Sequence, residues 1–329
     1  GGSRATVVRR FSPGEIDVIS CHALHALDVD EGLLAICPNN EEVLLYRLVG
    51  GDFQQLQCLS KHTQRVTGLA WSSAGGGDGS TLRLVSCSED RTAFVWQRDP
   101  GSTSGPFRPI LVELAAPRAA LCTSWAPNGG RFAVGLASRD TAVCYFKEDL
   151  NCWIAMKVGR SKASVVATAW HPTGQYLATG SMDGRCMVYD VSEDNMLPQP
   201  RPPWGEAQVS EDTGSWVNAV MFSPNGRYLA FLSQDATVRI KDLSGGPQAV
   251  VAVVSWRGLP FLRGAFLSDR SLIACGFDCV PALFRLNGSR WEASGSLDAA
   301  AASSPAVAST ASPSGAGMPG GAFAEARSR

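Results

Sequence analysis

An acid precedes a tryptophan by six positions in residues 90–96, which read Asp90-Arg91-Thr92-Ala93-Phe94-Val95-Trp96. The same interval joins an acid or amide to an aromatic residue at three other places, Asn40 to Tyr46, Asp183 to Tyr189 and Asp278 to Phe284. Two more places keep half of the pattern, since Asp235 leads to Lys241 and Arg139 stands six positions before Tyr145. The recurrence predicts one structural unit repeated along the chain.

An apolar anchor on a predicted short strand lies upstream of each of these six places. The anchors are Leu24, Trp71, Trp125, Trp170, Phe222 and Phe266, at successive spacings of 47, 54, 45, 52 and 44 residues. A period of about 45 residues that holds four short strands is the signature of WD-repeat propeller blades and not of a helical array. We therefore predict an all-β protein, a WD-repeat β-propeller with six recognisable blades.

The turn residues fit such blades. Asn128-Gly129 follows the predicted inner strand of repeat three, and Pro-x-Gly turns recur at residues 171–174 and 223–226. Proline presets one turn dihedral, and glycine supplies the positive φ that a tight hairpin needs. Residues 193–215 depart from this pattern because they are rich in proline, so we expect an extended excursion between repeats four and five.

The repeats suggest a division of the chain. We predict that residues 1–298 form the propeller, with Thr6–Phe11 supplying an N-terminal closing strand. Residues 299–329 consist mainly of Ala, Ser, Gly and Pro before a short charged end, which predicts a flexible linker and the start of a helix. Six repeats in a ring of this type indicate a seven-bladed propeller whose last blade is truncated.

Composition argues against several classes of function. Of the 329 residues, 29 are Lys or Arg and 30 are Asp or Glu, so the net charge of −1 does not favour nucleic acid or an anionic membrane as a partner. No apolar run is long enough for a membrane helix, so we expect no membrane insertion. Ten cysteines without a CxxC pair, beside four histidines, predict reduced structural thiols and no metal site. We also expect no cofactor, because neither a phosphate-binding Gly-rich motif nor a nucleophile elbow occurs.

His62 is the candidate for a special histidine. It lies just before repeat two, where it can join Ser86 or Ser88, Asp90 and Trp96 in a buried polar network within one blade. A Ser–His–Asp catalytic group is possible on paper, but blade architecture accounts for every member. We interpret Asp183, Asp235 and Asp278 as structural blade residues, with Asp183 and Asp278 accepting backbone N–H bonds in tight turns.

The tryptophans divide into two groups. Trp71, Trp125 and Trp170 are predicted core anchors of their blades. Trp204 lies in the proline-rich excursion, where it is either an exposed anchor for a partner or a side chain packed over its own blade.

Several short sequence motifs in the repeats resemble those of the WD-repeat subunits of the actin-related protein 2/3 complex. They are Ile19-Ser20-Cys21-His22-Ala23, Ala35-Ile36-Cys37-Pro38-Asn39-Asn40, residues 91–96, Val143-Cys144-Tyr145-Phe146, Trp125-Ala126-Pro127-Asn128, Pro203-Trp204-Gly205 and residues 276–281. The resemblance covers residues 19–297 and implies a non-enzymatic subunit that scaffolds nucleation of branched actin filaments. It implies as partners the other subunits, actin filaments and nucleation-promoting factors, and a location in the cytoplasm and actin cytoskeleton, with the nucleus also open.

The resemblance also bears on the end of the chain. Members of this family carry an extended insert with a short amphipathic helix before the last blade, and residues 323–329 resemble its start. Phe323 and Arg327 stand four positions apart on one face of that helix, so they are its candidate partner-binding residues.

A stand-alone WD-repeat adaptor that presents peptides to another complex is the alternative to a structural subunit, and an enzyme is a third. An adaptor would concentrate exposed aromatic and arginine side chains on the narrow face of the ring. A subunit of a complex would also have apolar side chains exposed on its sides and loops.

Overall fold

The computed structural model describes residues 16, 18–26, 31–50, 52–72, 82–99, 102, 105–196, 203–246 and 249–297. Helical segments in this part of the chain are one turn long: α1 (Glu193–Met196) and two 3-10 turns at Glu148–Leu150 and Leu243–Gly245. The predicted closing strand Thr6–Phe11 and the predicted tail 299–329 lie outside the described residues, so the proposed division of the chain stays a prediction.

The described residues form 24 strands in six four-stranded sheets, and each sheet is an antiparallel meander of consecutive strands. Blades 1 to 3 contain β1 (Cys21–Ala26), β2 (Glu31–Cys37), β3 (Glu42–Val49), β4 (Asp52–Ser60); β5 (Val66–Trp71), β6 (Arg83–Ser88), β7 (Thr92–Gln97), β8 (Arg108–Glu113); and β9 (Ala120–Trp125), β10 (Arg131–Leu136), β11 (Asp140–Lys147), β12 (Cys152–Arg160). Blades 4 to 6 contain β13 (Val165–Trp170), β14 (Tyr176–Ser181), β15 (Arg185–Asp190), β16 (Ala207–Asp212); β17 (Val217–Phe222), β18 (Tyr228–Ser233), β19 (Thr237–Asp242), β20 (Val251–Ser255); and β21 (Phe261–Ser268), β22 (Ser271–Gly276), β23 (Ala282–Asn287), β24 (Arg290–Ser296).

The innermost strands of the six blades surround one channel of about 600 Å³. Each strand contributes small or polar side chains to its wall, for instance at Cys21, Gly68, Cys122, Ala167, Ala219 and Gly264. Neighbouring innermost strands pack against one another in chain order from β1 to β21. The prediction of an all-β WD-repeat propeller with six blades about one axis is therefore confirmed.

The core lies between blades. Five clusters of buried apolar side chains fill the five interfaces between consecutive blades. At each interface, alternate residues of a strand face the preceding blade and the others face the following one, which explains why the strands are apolar on both faces. Trp96, for example, packs in the cluster between blades 1 and 2, and Phe284 packs in the cluster between blades 5 and 6.

The predicted anchors close the innermost strands of blades 2 to 5, but Leu24 behaves differently. Trp125 and Trp170 are each 8% exposed, whereas Leu24 is 58% exposed. In register, Leu24 lies opposite Leu34 and Leu34 lies opposite Tyr46, so Leu24 occupies the same place as the other anchors. Its blade has no preceding blade among the described residues, so Leu24 keeps the register of an anchor but remains exposed.

In blade 3 the recurring positions of the repeat lie one residue before the predicted Arg139 and Tyr145. Phe132 of β10 pairs with Cys144 of β11, and Tyr145 pairs with Arg131 instead. The aromatic position of blade 3 is therefore held by Cys144, and the acid's position by Ser138, six residues earlier and directly before Arg139. The search for an aromatic residue selected the adjacent Tyr145 because a small thiol has replaced the ring.

The excursion predicted at residues 193–215 is only partly right. It begins with α1 and ends with β16, and β16 is the outermost strand of blade 4. The residues of β16 therefore belong to a blade and not to a connection between blades. Proline obscured the strand because Pro198, Pro200, Pro202 and Pro203 precede it directly.

Candidate functional site

A chain of hydrogen bonds crosses blade 2 from Trp96 to Asp90. The Trp96 Nε1 atom donates to Ser86 Oγ at 2.8 Å, and Ser86 Oγ lies 2.8 Å from His62 Nε2. His62 Nδ1 lies 2.9 Å from Asp90 Oδ2, and Thr92 donates its hydroxyl to the other carboxylate oxygen at 2.6 Å. A neutral His62 that carries its proton on Nδ1 satisfies every donor and acceptor of this chain.

Burial and hydrogen bonds act together on the charge states of His62 and Asp90. Burial lowers the pKa of His62 below its ordinary value, against the opposing effect of Asp90. Burial acts to raise the pKa of Asp90, but hydrogen bonds from the Thr92 side chain and from the Thr63 and Thr92 amides, with the nearby His62, hold it below the usual range. Both shifts favour a neutral imidazole beside an ionised carboxylate at pH values above the ordinary histidine pKa of 6.5.

The network resembles a catalytic triad only in its residue types. Ser86 is fully buried, and its Oγ is held between Trp96 and His62, so no substrate atom can approach it. Ser88, the other serine considered, donates to the Gln64 carbonyl and accepts from the Asp90 amide. The arrangement joins two strands, β6 and β7, to the turn between them and to the loop before β5, which is a structural task.

The acids of blades 4, 5 and 6 lie at the equivalent turns. Asp183 accepts from the Lys162 and Arg185 amides at 2.6 and 3.1 Å. Asp278 accepts from the Leu259 amide at 2.8 Å and from Trp256 Nε1 at 3.1 Å.

Asp235 makes a different set of contacts. It accepts from the Thr237 amide and hydroxyl, and it forms an ion pair of 2.9 Å with Arg239. Asp183 and Asp235 thus each accept an amide of their own turn between the second and third strands, whereas Asp278 binds groups of the loop before β21.

Three tryptophans connect consecutive blades. The indole Nε1 atoms of Trp71, Trp125 and Trp170 donate to the carbonyl oxygens of Ala23, Ala70 and Ser124, at 3.1, 2.9 and 3.1 Å respectively. Each acceptor lies on the innermost strand of the preceding blade. These side chains therefore add a directional bond to the apolar packing between blades.

Lys241 occupies the aromatic position of blade 5 and was not singled out as a functional residue from the sequence. Its side chain is 1% exposed, and its Nζ lies 2.7 Å from Glu211 Oε1 and 2.8 Å from the Ala249 carbonyl. Glu211 belongs to β16 of blade 4, so a buried ion pair replaces aromatic packing between blades 4 and 5. A lysine in a buried aromatic slot was the available signal for such a pair.

Trp204 packs over its own blade. It is half-buried against a cluster that includes Trp170, Leu177 and Tyr189, and its Nε1 atom is buried without an acceptor among the described residues. This position agrees with packing rather than with an exposed anchor. The two other candidate partner-binding residues, Phe323 and Arg327, lie outside the described residues.

The described ranges were also searched for metal and membrane sites. No group of three or more His, Cys, Asp or Glu side chains in them is arranged to hold a metal ion. Within the same residues, no helix has the length and apolar character needed to cross a membrane.

Comparison with known proteins gives consistent similarities. Residues 53–97, 156–190 and 207–242 match the family described as WD domain, G-beta repeat. Actin-related protein 2/3 complex subunit 1A of Arabidopsis thaliana is 33% identical over 287 residues, covering 84% of this chain and 71% of that protein. Subunit 1A-B of Xenopus laevis is 34% identical over 281 residues, covering 82% and 72%. Subunit 1 of Schizosaccharomyces pombe is 28% identical over 285 residues, covering 84% and 73%.

Proposed function

The chain belongs to the family of actin-related protein 2/3 complex subunit 1, and from that premise we propose that it is a non-catalytic subunit of such a complex. Its task is to scaffold the nucleation of branched actin filaments beside the other subunits, in the cytoplasm and the actin cytoskeleton. The observation that carries the proposal is identity of 33–34% to two named subunits across more than four fifths of the chain.

The buried polar network supports a role without catalysis. The group that could be mistaken for a Ser–His–Asp triad has a serine with no exposed surface. Its hydrogen bonds are used within blade 2, so it has no free nucleophile to offer a substrate.

Exposed apolar side chains on the outermost strands support a subunit over a stand-alone adaptor. Leu56 on β4, Leu111 on β8 and Val253 on β20 are 42%, 47% and 56% exposed. These strands form the sides of the ring, where a subunit meets its neighbours. An adaptor that uses only the narrow face has no need of them.

Actin filaments and nucleation-promoting factors are further partners in this proposal. We assign their contact to the helix that the sequence predicts from residue 323 onward, with Phe323 as an apolar anchor beside the cation of Arg327. The chemistry of this pair suits an amphipathic helix that docks one face on a partner.

Affinity purification of the full-length tagged protein, followed by mass spectrometry and a branching assay, tests the proposal. We expect the two actin-related proteins and the remaining subunits in fixed stoichiometry, together with branched filaments once an activator and actin are added. Recovery of a different set of proteins, such as a modifying enzyme and its substrates, would favour the adaptor. A complete complex that branches actin equally well without this chain would contradict the scaffold role.

A further inference from the structure

A basic pocket lies at blade 3, and no role described above uses it. It has a volume of about 530 Å³, and its lining includes Arg118, Arg139, Arg160, Ser138 and Pro117. We refer to it as the blade-3 basic pocket. Three segments form it: the loop before β9, the turn between β10 and β11, and the end of β12 with the loop that follows it.

Backbone hydrogen bonds hold these segments together. The Ala137 amide donates to the Ala119 carbonyl at 2.9 Å, and the Ser161 amide donates to the Arg139 carbonyl at 2.9 Å. The first bond ties the turn to the loop before β9, and the second ties it to the loop after β12. The pocket therefore exists before any ligand arrives, which reduces the entropy lost on binding.

The same backbone bonds align blade 3 with blade 4. The Met182 amide donates to the Ser164 carbonyl at 3.0 Å, as Ala137 does to Ala119. Ser138 thus corresponds to Asp183, and Pro117, two residues before Ala119, corresponds to Lys162.

Blade 3 lacks both halves of a bond that its neighbours make. In blade 4 the Lys162 amide donates to Asp183 at 2.6 Å, and in blade 2 the Thr63 amide donates to Asp90 at 3.0 Å. Pro117 has no N–H to donate, and Ser138 has no charge. At the position where blades 2 and 4 have an aspartate carboxylate, blade 3 has the uncharged Ser138.

The side chains around Ser138 suit an anionic ligand that does not belong to this chain. The three arginines have no carboxylate partner among the described residues, and Asp140 is the one acid in the lining. The Ser138 hydroxyl is buried and finds no hydrogen-bond partner in the same part of the chain. An unpaired buried hydroxyl costs free energy, so this turn holds a polar group for which the described residues supply no partner.

We propose that the blade-3 basic pocket binds a phosphorylated serine or threonine of a protein partner. A phosphate monoester carries about two negative charges and three strong acceptor oxygens near neutral pH. Three guanidinium groups and one hydroxyl match that set, whereas a single carboxylate has only two oxygens to share. The volume exceeds the needs of a phosphate ion, and Pro117, Ala137 and Ala163 offer apolar contacts to the flanking peptide.

Fluorescence anisotropy with three labelled peptide pools tests the assignment on the full-length protein. The pools share randomised flanks and differ in a central phosphothreonine, threonine or glutamate. We expect only the phosphothreonine pool to bind. Arg139→Gln combined with Arg160→Gln should weaken binding by about tenfold or more. Ser138→Asp, which restores the acid of the other blades, should abolish it.

Arg91→Gln is the matched control, because Arg91 occupies the equivalent turn position of blade 2 with φ 72° against 77° for Arg139. It should bind as the wild type does, and circular dichroism and melting should show all variants folded. Equal binding of the glutamate pool would mean that the pocket recognises an acidic peptide and does not require a phosphate. If inorganic phosphate at the same concentration as the peptide displaces it, the pocket binds the free ion and not a phosphopeptide. No binding of the phosphothreonine pool, or equal loss in Arg91→Gln, would overturn the proposal; none of these outcomes depends on assembly or branching.

Discussion

The Nε1 atom of Trp125 donates a hydrogen bond of 2.9 Å to the carbonyl oxygen of Ala70 and so joins blade 3 to blade 2. Trp71 and Trp170 make the same bond one blade before and one blade after. The interfaces between blades therefore combine apolar packing with a bond whose direction fixes the position of one innermost strand relative to the next.

Replacing Trp125 with phenylalanine should destabilise the protein. A phenyl ring is smaller than the indole and leaves space in a packed cluster, and the Ala70 carbonyl loses its donor. We therefore expect a loss of about 1–3 kcal/mol in the free energy of unfolding. Urea unfolding followed by far-ultraviolet circular dichroism measures it. Trp216→Phe is the control, since Trp216 is 51% exposed. Equal effects of the two substitutions would mean that the bond between blades contributes little.

Removing the Ser86 hydroxyl should cost more than a typical serine substitution. Ser86→Ala leaves both Trp96 Nε1 and His62 Nε2 buried without a partner, so we expect a loss of about 2–3 kcal/mol. Exposed Ser60 provides the control, and Ser60→Ala should stay within about 0.5 kcal/mol of the wild type. A Ser86→Ala variant as stable as the control would contradict the network as a stabilising element.

The stability of the fold should decrease as the pH falls below the ordinary pKa of histidine, 6.5. Burial lowers the pKa of His62 in the folded protein, so the unfolded chain binds the proton more readily. The contribution of a neutral His62 is fully present above the unfolded pKa. It is lost as the pH falls from there towards the lower, folded pKa.

Unfolding free energies of the wild type and of His62→Gln at steps from pH 7.5 to 5 measure this effect. The variant should show a shallower fall with pH. A slope remains in the variant because burial also lowers the pKa values of His25 and His171. Identical slopes would show that His62 is not a titrating group of this transition.

Removing one partner of the buried Lys241–Glu211 ion pair should destabilise the protein more than removing both partners. Glu211→Ala leaves the Lys241 ammonium, 1% exposed, without its carboxylate, and we expect a loss of about 3 kcal/mol. Adding Lys241→Met removes the buried ammonium charge as well and should recover part of that loss. A double-mutant cycle from urea unfolding checks it, and strict additivity of the two changes would refute coupling across blades 4 and 5.

Replacing Phe323 and Arg327 together with alanine should slow branching without affecting assembly. The reason is that the pair is assigned to a partner outside the complex and not to the propeller. Branch formation and recovery of the other subunits are measured separately on the full-length protein. Unchanged branching, or loss of assembly, would count against the assignment.

The sequence alone predicted the six blades that the structure describes and where most of their innermost strands lie. Six apolar anchors from Leu24 to Phe266, at spacings of 44 to 54 residues, indicated these blades because each blade repeats one local pattern of strands and turns. His62, Asp90 and Trp96 could be grouped for the same reason, since their spacing relative to the strands is fixed by the repeat.

What depends on the pairing of strands or on contacts between blades was decided only by the tertiary structure. The shift of blade 3 to Ser138 and Cys144 appears in the pairing of β10 with β11, and the exposure of Leu24 depends on which blade faces it. Lys241 and Glu211 lie 30 residues apart on different blades, so no local pattern joins them. A repeat fixes what each blade is made of, whereas the charges and cavities between blades arise from residues far apart in the chain that folding brings together.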